Sequence, residues 1–140
     1  MSDLTVLRAA YRAKLTGDST IQTLLGAIPG TTPAEYPIFY RRIREEIVVP
    51  SLMLSDIGTR PDPTVPLHDR NVRADVFHVD FEKAEAICER IKALWDGQPL
   101  TAVGWRVVHW SYLGDGEEEV ERGNVIQRAV VYRLLAYEAT

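Results

Sequence analysis

The stretch from Asp80 to Gly97 constrains the fold more than any other part of the chain. Ala84, Ile87, Cys88, Ile91, Leu94 and Trp95 recur three and four residues apart, while Glu82, Glu85, Glu89 and Lys92 fall on the opposite side. This is the pattern of a helix with one face to bury. Asp80 offers an N-cap oxygen and Gly97 a stop, so a helix is predicted from Phe81 to about Trp95. Its apolar stripe needs a partner surface, and the preceding residues supply one. From Val72 to Val79 the chain alternates Val72, Ala74, Val76 and His78 against Arg73, Asp75, Phe77 and Val79, which is the two-residue period of a strand. A strand feeding such a helix implies a helix layer on a sheet.

The remaining punctuation extends this plan. Leu4, Leu7, Ala10, Tyr11 and Leu15 mark a first helix capped by Ser2 or Asp3 and ended by Gly17; Ile21, Leu24 and Leu25 mark a short second one before Gly26. Three prolines between Pro29 and Pro37 exclude helix and make a loop. Short strand character follows over Ile38 to Ile43. A β-branched stretch runs from Ile47 to Ile57, with Pro50 suggesting either a sheet edge or the start of the strand. Gly58 to Asp69, with Pro61, Pro63 and Pro66, reads as a long loop suited to partner contact. After a turn from Pro99 to Gly104, Trp105 to Leu113 forms one arm of an antiparallel hairpin. Gly114-Asp115-Gly116 begins its turn, and about Val125 to Glu138 forms the other arm. The fold class is therefore α+β: a mixed or antiparallel sheet of four to five strands with helices on one face, in a single domain spanning 1–140.

Composition narrows the function classes. A chain of 140 residues buries roughly 68–70% of its unfolded surface, enough for one core. At 46% hydrophobic and 26% charged it is ordinary globular protein rather than a disordered or disulfide-stapled chain. Its apolar runs are far short of the ~20 residues of a membrane helix, and with one cysteine no intrachain disulfide forms; a soluble protein made in the cytoplasm is expected. The net charge of -4 gives no general pull toward nucleic acid. His68, His78 and His109 are dispersed, so no metal-ligand spacing occurs. His78 and His109 either meet across the sheet or act as separate hydrogen-bonded side chains. Cys88 sits on the apolar stripe of a helix, where a thiol packs. Neither a phosphate-cradling glycine motif nor GxSxG or HExxH is present. No enzyme, metal or cofactor is expected.

Two charge clusters remain. Arg41, Arg42, Arg44, Glu45 and Glu46 form a mixed-sign patch that is either a solvated turn or a candidate subunit interface, where complementary charge sets orientation. Glu117, Glu118, Glu119 and Glu121 make an acidic hairpin tip that would aid solubility in a lone domain.

The layout resembles the tail-completion or tail-terminator proteins of long-tailed bacteriophages. The resemblance rests on the first helix followed by STIQTLLG, the strand IVVPSLMLSDIG, and RADVFHVDFEKAEAICERIKALWDGQPL leading into a late hairpin. It implies a structural virion protein of the tail or neck, assembled in the host cytoplasm as a hexameric ring. Such a ring caps the tail tube, ends its polymerisation and joins the tail to the head connector. The implied partners are further copies of the chain, the tail-tube protein, the head-side connector or stopper protein, and DNA passing through the channel without sequence-specific binding. In such a ring Glu117, Glu118, Glu119 and Glu121 are candidate channel-facing residues that repel passing DNA. The alternatives are a head-completion or tail-tube subunit, or a small ligand-binding domain or enzyme with a site built from scattered residues. Trp105, Trp110, Tyr112, Tyr132 and Tyr137 serve the core or an interface equally well on this reading.

Overall fold

The computed structural model describes residues 4–40, 49–59, 64, 66–96, 99–116 and 124–139. Its elements are α1 (Leu4–Thr16), α2 (Ser19–Leu25), β1 (Ile38–Tyr40), β2 (Ser51–Thr59), β3 (Leu67–His78), α3 (Phe81–Asp96), β4 (Trp105–Asp115) and β5 (Ile126–Glu138). The strands form one mixed sheet in the order β1-β2-β3-β5-β4, with β1 parallel to β2 and the other neighbours antiparallel. The expected α+β class is the observed one.

Local chemistry explains the elements. Asp80 Oδ1 accepts from the backbone N–H groups of Glu82 (2.9 Å) and Lys83 (3.2 Å) and so starts α3. Asp18 does the same for α2 through Ile21 N at 3.0 Å, and its carboxylate also takes Arg90 of α3 at 2.7 Å, tying the two helices together. Ala84, Ile87, Cys88, Ile91 and Trp95 of α3 are buried against a sheet face made of Leu52 and Leu54, Val72, Ala74 and Val76, and Val130, Tyr132, Leu134 and Ala136. Leu7, Tyr11 and Leu15 of α1 and Ile21 and Leu25 of α2 complete this core.

Several expectations change. Both ends of the expected loop from Gly58 to Asp69 belong to the sheet: Gly58 and Thr59 pair with Arg70 and Asp69 in the β2–β3 ladder, and Leu67 and His68 pair with Tyr137 and Ala136 of β5. Cross-strand pairing outweighs the local breaking signal of Gly58. Pro50 precedes β2, which lies inside the sheet, so it marks the strand's start and not an edge. The described parts of the first two strands are shorter than read: β1 ends at Tyr40 and β2 starts at Ser51, with 41–48 outside the described residues. Gly114, Asp115 and Gly116, expected to begin a turn, still follow the ladder: β4 runs to Asp115 and Gly116 N donates to Ala129 O at 2.9 Å. His78 and His109 do not meet. They pair with Ile126 and Leu135, nine positions apart along the intervening β5.

Candidate functional site

One flank of the sheet is organised by a buried charge. Strand alternation places Asp56 on the same face as Leu52 and Leu54, and it is only 4% exposed. Its Oδ2 accepts from Tyr11 OH (2.6 Å), Tyr40 OH (2.7 Å) and Arg8 Nε (3.0 Å); its Oδ1 accepts from Arg70 Nε (2.8 Å), Arg70 Nη2 and Arg8 Nη2 (3.3 Å). Burial alone would raise the Asp56 pKa. The hydrogen bonds from Arg8, Tyr11, Tyr40 and Arg70 outweigh it and hold the carboxyl below the ordinary carboxylate range. Burial, reinforced by the Asp56 charge, pushes the Tyr11 hydroxyl up. The hub thus joins α1, β1, β2 and β3.

From this hub an aromatic row crosses the molecule. Tyr11 lies 6.1 Å from Trp95 and 6.2 Å from Trp110; Trp95 and Trp110 each lie about 5 Å from Tyr132. Trp95 Nε1 donates to Tyr11 O at 3.1 Å, Trp110 Nε1 to Trp95 O at 3.0 Å, and Tyr132 OH to Asp96 Oδ1 at 2.6 Å. Of the five late-strand aromatics, Trp105 and Tyr132 are buried in the core and Trp110 packs against it, Tyr137 is half-buried, and Tyr112 is 41% exposed.

The opposite flank is the edge strand β4. Its register skips Val108 between Val107 and His109, and Leu113 between Tyr112 and Gly114, as β-bulges do. Both skipped residues are exposed, Val108 at 46% and Leu113 at 55%. Beside this strand, two hollows of about 320 and 450 Å³ share Pro99, Leu100 and Val107 and form one groove, with Val103 and Val108 at its rim.

Polar side chains on the face away from the helices are paired. Arg133 binds Asp69 at 3.0 Å, Arg73 binds Asp75 at 3.0 Å, and Ser111 Oγ lies 2.6 Å from His109 Nε2. Both Ser111 and His109 stand on an outward sheet face, and Asp69 of β3 is hydrogen-bonded to Arg133. His78 Nε2 lies 3.2 Å from Leu24 O, and Cys88 is buried with its thiol pushed up to about 12 by desolvation. Among the described residues no group of three or more His, Cys, Asp or Glu converges to hold a metal ion. None of their helices is long and apolar enough to cross a membrane.

The residues singled out from sequence, Arg41, Arg42, Arg44, Glu45 and Glu46 and also Glu117, Glu118, Glu119 and Glu121, lie outside the described residues. Sequence reading missed the Asp56 hub. The signal was present in the alternation Leu52, Leu54, Asp56, which sets a carboxylate on a buried face.

The chain is thus an α+β fold with a buried ionic hub on one flank of its sheet and a groove of mixed polar and apolar lining on the other. No protein-family profile matches the chain, and no curated protein sequence matches it. Among solved structures, the fold is similar to that of a chain from the "Virion of native gene transfer agent (GTA) particle", with a TM-score of 0.74 over 96% of each chain at 17% sequence identity. At that identity the likeness is one of fold.

Proposed function

We propose that the chain is a structural, non-enzymatic subunit of a phage-like virion, and within it a tail terminator: a ring, hexameric by the sequence resemblance, that caps the tail tube, ends its polymerisation and joins the tail to the head connector. The observation that carries this reading is the fold likeness to a virion chain over 96% of both proteins, which agrees with a family resemblance reached independently from sequence. The two unlike flanks of the sheet support it, because a closed ring needs two different surfaces on every copy. Arg41, Arg42, Arg44, Glu45 and Glu46 are proposed to lie at the subunit interface. Glu117, Glu118, Glu119 and Glu121 are proposed to face the channel, where negative charge keeps DNA from adhering.

The same virion likeness also fits a head-completion or tail-tube subunit, since it names a particle and not a position in it. Electron microscopy of the purified protein, alone and mixed with tail tubes, separates these readings. Rings seated at tube ends are expected; protein incorporated along the tube, or bound only to heads, would replace the terminator reading, and a protein that stays monomeric with every partner would end it.

A further inference from the structure

We infer that the end of β4, from Gly114 to Gly116, is an arm that opens separately from the rest of the sheet and is latched onto α3 by Lys92. The inference concerns the single subunit and stands apart from the ring reading.

The arm lies beyond an interruption. The register of β4 against β5 skips Leu113 between Tyr112 and Gly114, and a bulge of this kind breaks the ladder locally. Past the skip, Gly114 and Asp115 stand opposite Val131 and Val130, and Gly116 N donates to Ala129 O at 2.9 Å. A Cβ on Gly114 would meet nothing within 4 Å, so side-chain packing does not pin the strand at that point. A short stretch of edge-strand pairing cut off from its neighbours by a bulge has low local stability.

Lys92 bridges the interruption from the helix side. Its Nζ lies 3.1 Å from Asp115 Oδ1, just past the bulge, and 5.1 Å from the ring centroid of Tyr112, just before it. Tyr112 OH donates to the same Asp115 Oδ1 at 2.7 Å, and Glu89 Oε1 lies 3.2 Å from Lys92 Nζ. One cation thus holds both sides of the bulge to α3. The Tyr112 hydrogen bond and Lys92 lower the Asp115 pKa; burial lowers that of Lys92, but Asp115 and Glu89 outweigh it and raise it, so both partners are charged. Exposure decides what kind of fastening this is. The side chains of Asp115 and Glu89 are 52% and 66% exposed, and ion pairs so placed are weak and screened by salt. A latch of that strength releases without unfolding the core. The chain runs from the arm directly into Glu117, Glu118, Glu119 and Glu121, so the latch determines whether the root of that acidic stretch is held against α3.

Amide hydrogen exchange followed by NMR tests the latch. Lys92→Met keeps the aliphatic stem over Tyr112 and removes the charge; Asp115→Asn, at a half-exposed position, removes the opposite charge. At low salt, exchange at Gly116 is expected to rise about tenfold in each variant, whereas Ala84 N, bonded to Asp80 O within the helix layer, and Leu52 N, bonded to Pro37 O in the sheet, should change less than about twofold. In about 1 M sodium chloride, where screening reaches about 3 Å, Gly116 of the wild type should exchange as it does in the variants. Unchanged exchange at Gly116 in both variants would overturn the latch. An equal rise at Gly116, Ala84 and Leu52 would also overturn it, by showing that Lys92 and Asp115 act only on the stability of the whole fold.

Discussion

A carboxylate on the buried face of a strand loses several kcal/mol of hydration, and it persists only where donors replace the water. Asp56 keeps its charge by accepting from two arginines and two tyrosines. Removing that charge leaves Arg8 and Arg70 facing each other without a counter-ion. Asp56→Asn is therefore expected to lose about 3–5 kcal/mol of stability, the cost of breaking one partner out of a buried pair. Urea unfolding measures this directly, and a loss below about 1 kcal/mol would mean the hub contributes little beyond a neutral hydrogen bond. The hub was hard to read because its donors are remote: Tyr11 and Arg8 lie 45 and 48 residues from Asp56 in sequence. Alternation reveals which residue is buried, but not which distant side chains will neutralise it.

At the scale of elements, the β2–β3 hairpin delivers Arg70 to the hub, and Gly58 makes room for it. A methyl group on Gly58 would stand 2.5 Å from Arg70 Cγ and 2.7 Å from its Nη1. Gly58→Ala should therefore displace the arginine stem and destabilise the protein by about 1–3 kcal/mol, as overpacking does. In the Asp56→Asn background the same substitution should cost less, because the arginine is no longer tethered; a double-mutant cycle checks this, and full additivity would separate Gly58 from the hub. Helices α1 and α3, strand β3 and the β4–β5 hairpin were legible because their apolar spacing is regular. The full extent of β2 and β3 was not, since Gly58 and the nearby prolines signal a loop from Gly58 to Asp69, where Gly58, Thr59 and Leu67 to Asp69 are paired in the sheet. The bulges in β4 leave no mark in the sequence, because they arise from register against β5.

At the scale of the whole molecule, acidic side chains tie separate elements together. Asp18 joins the start of α2 to Arg90 of α3, Asp69 joins β3 to Arg133 of β5, and Asp115 of β4 accepts from Tyr112 of the same strand and binds Lys92 of α3. These hydrogen bonds lower the pKa of each carboxyl, and Asp56 is lowered as well. A folded pKa below the unfolded value means the stabilisation is fully present above the unfolded pKa of about 3.9 and is lost as pH falls from there toward the folded values. Thermal melts followed by circular dichroism should be nearly flat between about pH 5 and 7 and should drop steeply below about pH 4. A melting temperature unchanged down to about pH 3 would contradict this assignment. Of the candidate surfaces, sequence pointed to charge clusters, a proline-bearing stretch and the late-strand aromatics. The groove beside β4 required the packing of that strand against the end of α3, which no local pattern encodes.

The aromatic row from Tyr40 through Tyr11, Trp95 and Trp110 to Tyr132 also has a geometric consequence. The stiff, interlocked rings, with Trp95 and Trp110 hydrogen-bonded to the backbones of Tyr11 and Trp95, form a strut across the sheet from β1 to β4, so the breadth of the fold resists compression. If the proposed ring forms, the breadth of each copy would set its circumference and therefore its bore.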